Sequence, residues 1–205
     1  MQPGMPEPMP EVNPFACDTA EAPSTLDARR RARTEYLNAL RALLTRALGA
    51  TDASTVMTQA RVASRLPPEA TAGYSTADTN FSVLHATETF AIADAVATAL
   101  GTPANYSPFV TTFIGYAPGT CTSPTPAALS DACEDALVRN FTLRAWGRPI
   151  EEGAANSNDE LTAFRREFVV ATSSREGVEA MVVKTLLAPD FLFHLELDLR
   201  PVTGT

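Results

Sequence analysis

The sequence predicts an all-α protein, an irregular bundle of about five main helices with long proline-rich loops and an extended N-terminal tail. The main observation is that apolar residues recur at helical spacing in three consecutive segments between Cys133 and Leu199. Short polar breaks separate these segments, and glycine or proline follows several predicted helices, as at Gly49 and Gly101. Successive amphipathic helices bury their apolar faces against one another, so a bundle is the expected architecture.

The composition is that of a globular protein with one substantial core or two small ones. The chain has 205 residues, of which 45% are hydrophobic, so it needs neither a metal nor a disulfide merely to fold. We expect residues 26–205 to form a single helical domain, with N-terminal helices in residues 26–104 and C-terminal helices in residues 127–200. Residues 1–25 are rich in proline and are expected to be a disordered tail.

The charge balance argues against a nucleic-acid-binding protein. The net charge is -8, whereas phosphate binding needs clustered basic residues that the rest of the chain does not outweigh. The basic run within residues 29–33 is interpreted as a solvated helix entrance, because no aromatic residue is interleaved for base stacking. No apolar run reaches the length of a membrane span, about 18 residues, so no span is expected. The N-terminus lacks the regions of a signal peptide, which leaves a cytosolic protein or a removed targeting segment.

Two helices are predicted in the N-terminal part. The first covers residues 34–48, where apolar side chains form one stripe and Gly49 supplies a stop. The second covers roughly residues 83–100 and ends at Gly101 and Pro103. A shorter helix within residues 54–66 is a further prediction from a less periodic stretch.

The middle of the chain, residues 105–126, is expected to be an apolar connection that lies over the core and covers it. Prolines recur along it, while aromatic and aliphatic residues fill the spaces between them. A short strand over residues 109–114 is the alternative.

Three helices are predicted in the C-terminal part. They run from Ala127 or Ser130 to about Trp146, from Asn158 or Asp159 to about residue 171, and from Ser173 or Ser174 to about residue 188. Pro189 interrupts the last one. Beyond it, apolar residues alternate with mostly polar ones, which indicates a strand, but a kinked helical continuation fits equally well. We favour helix to about residue 195.

The three cysteines leave the redox state open. Cys121 and Cys133 flank a loop rich in proline, serine and threonine that runs into a predicted helix. A disulfide between them would fix this loop to the helix start and stabilise the fold by roughly 3 kcal/mol. Cys17 is left over, and the odd count keeps a cytosolic chain with reduced cysteines as the alternative.

No residue is predicted to be catalytic or to bind a cofactor. His85 and Glu88 are weak candidates for metal ligands, since their spacing places them on one helix face, but one such pair is half a site at best. A surface histidine beside a glutamate is the preferred interpretation. His194 lies in an apolar run and is expected to be packed or to face a partner. The sequence contains no covalent haem motif, nucleophile elbow or glycine-rich phosphate loop.

The end of the helix that leads to Trp146 offers a further candidate. Trp146 with Arg144 and Arg148 could form a cation–π contact or a site on which a ligand stacks. Packing at the helix end is the preferred interpretation of these three residues.

Three segments together resemble a known family of exported proteins. Residues 29–36, RRRARTEY, are similar to an Arg-Arg-Leu-Thr-Arg-x-Glu-Tyr motif that opens a helix in that family. Residues 141–150 and 186–196 are similar to its Phe-x-x-Arg-Ala-Phe-Arg-Arg-Pro-Leu and Leu-x-Ser-Pro-x-Phe-Leu-Tyr-Arg-x-Glu segments. The family is that of planctomycete and myxobacterial proteins with planctomycete-specific domains of unknown function. This chain departs from its pattern at Arg31, Ala32, Ala42, Gly147 and His194.

The resemblance implies an extracytoplasmic helical protein with no established activity, whose relatives continue into further helical regions and sometimes carry a cytochrome-c-like domain. An apolar segment over residues 191–199 would then lack its usual cover, which predicts an interface at Phe191, Phe193, Leu195 and Leu197. A second chain or a missing C-terminal region is the expected partner.

Two functions follow from these expectations. The leading hypothesis is a non-catalytic structural or interaction domain of an exported bacterial protein or assembly. The alternative is a subunit of a cell-surface redox or hydrolytic complex whose haem or metal is carried by a partner or a missing domain. Neither hypothesis places a cofactor in this chain.

Overall fold

The computed structural model describes residues 27–67, 82–115, 121, 128–152 and 159–196. Within these residues the chain forms nine helices and a two-stranded antiparallel sheet, which confirms the predicted all-α class. The predicted tail, residues 1–25, lies outside the described residues. In chain order the elements are β1 (Asp27–Arg30), α1 (Arg33–Leu48), α2 (Ala50–Gln59), α3 (Val62–Arg65), α4 (Val83–Leu100), α5 (Pro103–Ile114), α6 (Asp131–Trp146), α7 (Glu160–Val170), α8 (Ser174–Leu187), α9 (Pro189–Leu192) and β2 (Phe193–Glu196).

A single core joins the helices from both parts of the described chain. α4 packs most extensively against α8, α1 packs on α2 and α5, and α6 packs on α5 and α7. At the centre of the core three rings from α5 and α6 meet with centroids 5.1–5.3 Å apart, those of Phe109, Phe113 and Phe141. All three side chains are almost fully buried, so the contact between α5 and α6 is a main source of apolar burial.

The predicted apolar connection over residues 105–126 is wrong in its first part, where the structure has helix α5. The buried residues of α5 follow a helical stripe through Tyr106, Phe109, Val110 and Phe113. Pro103 occupies the first turn, where its missing N–H costs nothing and its fixed φ favours a helix. Burial of this stripe outweighs the interruption at Pro108 inside the helix.

The helix favoured to residue 195 is also wrong, because α9 ends at Leu192 and β2 follows. The alternative strand is therefore the correct interpretation of Phe193–Glu196. β2 pairs with β1 so that Phe193 lies opposite Arg30 and Glu196 lies opposite Asp27. The backbone donors and acceptors of this segment find their partners in β1, and those of β1 find theirs in β2.

One described helix, α4, is long and apolar enough to cross a membrane by length and composition alone, with a mean hydropathy of 1.2. The core helix of a globular protein passes the same test. α4 contacts α2, α3, α5 and α8, and the face with Ile92, Ala93, Val96 and Leu100 is buried in these contacts.

The proposed disulfide between Cys121 and Cys133 is present, with the two Cα atoms 5.0 Å apart. It ties residue 121 to the first turn of α6, where Cys133 is 4% exposed. Cys17 lies outside the described residues.

Removal of this disulfide is expected to lower stability substantially. The double variant Cys121→Ala/Cys133→Ala should lose roughly 3 kcal/mol of unfolding free energy, because the unfolded chain regains the entropy that the bond removes. Urea denaturation under non-reducing conditions measures the change. Cys17→Ala is the matched control, and an equal loss in both variants would contradict the assignment of the bond.

Candidate functional site

The junction between β1 and α1 places several arginines at the start of a buried helix. The backbone N–H of Arg31 donates to the carbonyl of Leu192 at 2.9 Å, which continues the contact between β1 and the α9–β2 segment. The Glu35 carboxylate accepts from the N–H of Ala32 at 2.7 Å and so caps the first turn of α1. These two contacts fix the backbone that carries Arg30, Arg31 and Arg33.

A narrow pocket, part of it open to solvent, lies at this junction. We call it the arginine pocket. Its polar lining comes from the end of β1, the start of α1 and the first turns of α4, while Leu66, Pro67 and Leu192 complete the wall. None of the described residues that line it is acidic. The polar lining consists of Arg30, Arg31, Arg33, Tyr36, His85 and Thr89.

The basic side chains of the arginine pocket are held in place from several elements. Arg30 is only 7% exposed and donates to the carbonyl of Arg31 at 3.2 Å. Arg33 donates to the carbonyl of Ala63. His85 Nδ1 lies 2.8 Å from the hydroxyl oxygen of Ser82, the N-cap of α4. The expectation of a solvated helix entrance over residues 29–33 is therefore wrong for Arg30.

Tyr36 supplies the apolar floor of the arginine pocket and a buried hydroxyl. Its ring meets that of Phe191 edge-on at 5.4 Å between centroids, and the side chain is 3% exposed. The hydroxyl is buried, and among the described residues it has no hydrogen-bond partner. Burial raises the pKa of Tyr36 well above its ordinary value, and burial lowers the pKa of Arg31, an effect that nearby Glu35 opposes.

Arg31 also lines a second depression. We call it the arginine groove, and it encloses about 830 Å³ between α1 and the end of α6, including open solvent. None of the described residues that line it is acidic. Small side chains and a glycine line the rest of it, and its larger lining residues are Arg31, Leu43, Arg46, Arg144, Trp146 and Phe191.

Arg148 was a candidate, with Trp146 and Arg144, for a cation–π contact or a ligand-stacking site. In the structure it packs at the end of α6. Its guanidinium lies 5.1 Å from the centroid of the Trp146 ring. It also forms paired hydrogen bonds with Glu160 at 2.7 and 3.0 Å and with Asp190 at 2.6 and 3.0 Å. Arg148 therefore joins the ends of α6, α7 and α9, whereas Arg144 lies apart from it in the arginine groove.

The weak metal candidates have different partners. Glu88 pairs with Arg65 at 3.4 Å, and His85 Nδ1 faces Ser82. Across residues 27–67, 82–115, 121, 128–152 and 159–196, no group of three histidine, cysteine or acidic side chains could hold a metal ion. His194 lies in β2 opposite Arg29, and its side chain is outside what the structure describes.

The predicted interface residues differ in their placement. Phe191 is 1% exposed, so its assignment to an uncovered surface is wrong: Tyr36 and Arg31 cover it. Phe193 is partly buried against the core. The side chain of Leu195 and the whole of Leu197 lie outside the described residues.

The sequence does not predict the arginine pocket, and of the arginine groove it indicates only Arg144 and Trp146, as part of the less favoured ligand-stacking site. The sequence does contain one signal for the arginine pocket. The basic run comes directly before Tyr36, the first residue of the buried stripe of α1, so its charged side chains must lie at the edge of the core. No protein-family model, curated protein or solved structure matches the chain, so the resemblance to planctomycete-specific domains stays a prediction.

Proposed function

We propose that this chain is a non-catalytic helical interaction domain of an exported bacterial protein or assembly, and that it binds an acidic segment of a partner protein in the arginine groove. The observation that carries the proposal is the lining of the groove. Three arginines, Arg31, Arg46 and Arg144, surround an apolar floor in a protein whose net charge is -8.

Charge complementarity defines the partner. A carboxylate-bearing segment would gain from the three guanidinium groups, and one apolar side chain of that segment would bury surface on Leu43 and Trp146. A long polyanion such as a nucleic acid would extend beyond the groove and meet the acidic remainder of the protein. A short acidic peptide contacts the groove alone, which makes it the favoured occupant.

Other ionisable side chains are used to join helices. Asp135 binds Arg165 of α7 through paired hydrogen bonds, and Lys184 of α8 reaches Glu167 of α7 at 2.7 Å. Arg148 serves α6, α7 and α9 in the same way. These pairs support a structural use of the charged groups, which is why we propose binding rather than catalysis.

The location outside the cytoplasm is proposed on two grounds. A disulfide such as Cys121–Cys133 persists in oxidising compartments and is rare in the reducing cytosol. The resemblance to exported proteins points to the same compartment.

Trp146 makes the proposal directly testable, because it is the single tryptophan of the chain and lines the groove. A synthetic peptide of alternating glutamate and leucine is expected to change the tryptophan fluorescence on binding, more strongly at low salt. The same peptide with lysine in place of glutamate is expected not to bind. Equal binding of the two peptides would contradict the proposal.

Charge reversal in the arginine groove is a second test of the proposed peptide binding. Arg46→Glu/Arg144→Glu is expected to weaken the affinity for the acidic peptide by about tenfold or more, since two attractive contacts become repulsive. Arg41→Glu, on α1 but outside the groove, is the matched control.

A cross-linking experiment in the native host would identify the partner. The protein sought is one that is cross-linked to the wild type but not to the double variant, and its absorbance spectrum would show whether it carries a haem.

A further inference from the structure

Two arginines of the arginine groove are free to take an acidic occupant. Arg46 lies in the last turn of α1 and Arg144 in the last turn of α6, and both side chains are exposed. Neither forms an ion pair with any residue that the structure describes, whereas Arg148 and Arg165 are paired with carboxylates. The groove therefore presents two guanidinium groups that the described fold does not use.

One part of this chain has the chemistry of such an occupant. Residues 1–26, which precede the described fold, contain four acidic residues and no lysine or arginine. Phe15 lies between Glu11 and Asp18, and Glu21 adds a further carboxylate soon after them. The groove combines basic side chains with an apolar floor, so carboxylates close to one large apolar side chain are complementary to it.

The segment that follows β2 is a poorer match. Because Asp27 pairs with Glu196, residues 197–205 leave the fold beside the point where residues 1–26 enter it. Residues 197–205 contain one acidic and one basic residue, whereas the side chains of residues 1–26 carry a charge of -4. Charge complementarity therefore favours the N-terminal segment.

The N-terminal segment enters the fold within reach of the groove. Arg31 lines the groove, and the stretch from Asp27 to Arg31 spans about 13 Å when extended. The stretch from Asp18 to Asp27 spans up to about 30 Å, so the chain is long enough to reverse direction and return to the arginines. Because the segment is tethered, its effective concentration at the groove is high, about millimolar.

We propose that residues 11–21 dock in the arginine groove of the same molecule, with their carboxylates against Arg46 and Arg144 and with Phe15 on the apolar floor. The inference rests on the function proposed for the groove, the binding of acidic segments. The docked segment regulates that function, because an external acidic partner must displace it and the apparent affinity falls with the fraction of grooves that are open.

Two side chains make the contact measurable in the full chain. Cys17 lies within the docking segment and is the one cysteine outside the Cys121–Cys133 bond, so a nitroxide can be attached to it selectively. Trp146, the single tryptophan, lines the groove. A nitroxide quenches tryptophan fluorescence only at short range. Docking is therefore expected to quench Trp146 in the labelled protein, less so at high salt, and reduction of the nitroxide with ascorbate is expected to restore the signal.

A charge swap across the contact is the decisive set of variants. Asp18→Lys/Glu21→Lys and Arg46→Glu/Arg144→Glu are each expected to abolish the quenching, because attraction becomes repulsion. The combination of all four substitutions is expected to restore it, since the charges are complementary again. Asp18→Glu/Glu21→Asp, which keeps both charges, is the matched control and should quench like the wild type. The proposal is overturned if the wild type shows no quenching, if quenching survives either reversal, or if the combination does not restore it.

Dilution shows whether the contact lies within one molecule. Quenching within a molecule does not depend on the protein concentration, and this is the expected result. Quenching that disappears on dilution would place the segment in the groove of a second copy and would overturn the proposal.

Titration of the unlabelled proteins with the peptide of alternating glutamate and leucine separates this inference from the proposed function. Asp18→Asn/Glu21→Gln is expected to bind the peptide about tenfold more tightly than the wild type, because it lacks the tethered competitor. Equal binding to the two proteins overturns the inference and leaves the proposed function intact. Binding to neither, with the quenching present, contradicts the proposed function and supports the internal contact.

Discussion

Phe141→Ala is expected to destabilise the protein by about 4 kcal/mol, the largest effect of any single substitution considered. The side chain is 1% exposed, and its ring meets both Phe109 and Phe113 edge-on. Truncation removes buried apolar area and leaves a cavity between α5 and α6 that rigid helices cannot close. Urea denaturation monitored by circular dichroism measures the loss.

The neighbouring Leu143→Ala is the matched control for this prediction. Leu143 lies on the same helix, but it is 39% exposed, so its truncation should cost about 1 kcal/mol or less. Similar losses at the two positions would mean that the rings of α5 and α6 do not meet in the way described.

Arg148→Met is the second substitution with a large expected effect. It removes the paired hydrogen bonds to Glu160 and Asp190 together with the contact on Trp146. Breaking a fully buried pair costs about 3–5 kcal/mol, but the Arg148 side chain is 35% exposed, so we expect a loss of about 2 kcal/mol. Arg139→Met is the control, because Arg139 pairs closely only with Glu152 at a more exposed site and lies 3.7 Å from Asp135, which keeps its pair with Arg165; the loss should stay below about 1 kcal/mol.

The pH dependence of stability provides an independent check on the Arg148 contact. The hydrogen bond from Arg148 lowers the pKa of Glu160 below its ordinary value of 4.5. A carboxylate with a lowered folded-state pKa stabilises the protein above its ordinary pKa, and that contribution is lost as the pH falls through the folded-state pKa. The stability difference between the wild type and Arg148→Met should therefore shrink below pH 4.5. A difference that stays constant down to pH 2 would contradict the contact.

Helix positions were predictable where the signals are local. The predicted bounds of α4 agree with the observed ones, and α7 and α8 begin after the expected caps. Asp159 accepts from the N–H of Thr162 at 2.6 Å, and Ser173 accepts from that of Glu176 at 3.3 Å. Caps and apolar stripes act within a few residues, so one sequence reveals them.

The errors arise where distant parts of the chain decide the structure. β2 exists because β1, at the other end of the described chain, offers a partner strand, and nothing near Phe193 encodes that pairing. α5 is hard to predict because Pro103 and Pro108 indicate a break locally, whereas burial of the stripe that includes Phe109 and Phe113 against distant helices stabilises the helix.

The arginine pocket and most of the arginine groove could not be predicted, for the same reason. The arginine pocket brings the start of α1 together with His85 and Thr89 of α4 and with Leu192, and the groove joins α1 to the end of α6. The sequence shows the basic residues but not the surfaces that meet them. Arg30 and Phe191, expected to be exposed, are buried because these elements converge.

The pairing of β1 with β2 has a mechanical consequence. The strands are antiparallel, with Asp27 opposite Glu196, so the polypeptide enters and leaves the described fold at the same edge. Tension applied at the two ends would unzip the ladder one hydrogen bond at a time, starting from this edge, while the helices stay packed. Arg30 and Arg31 stand at the far end of the ladder, so pulling would dismantle one wall of the arginine pocket before it reaches the aromatic centre.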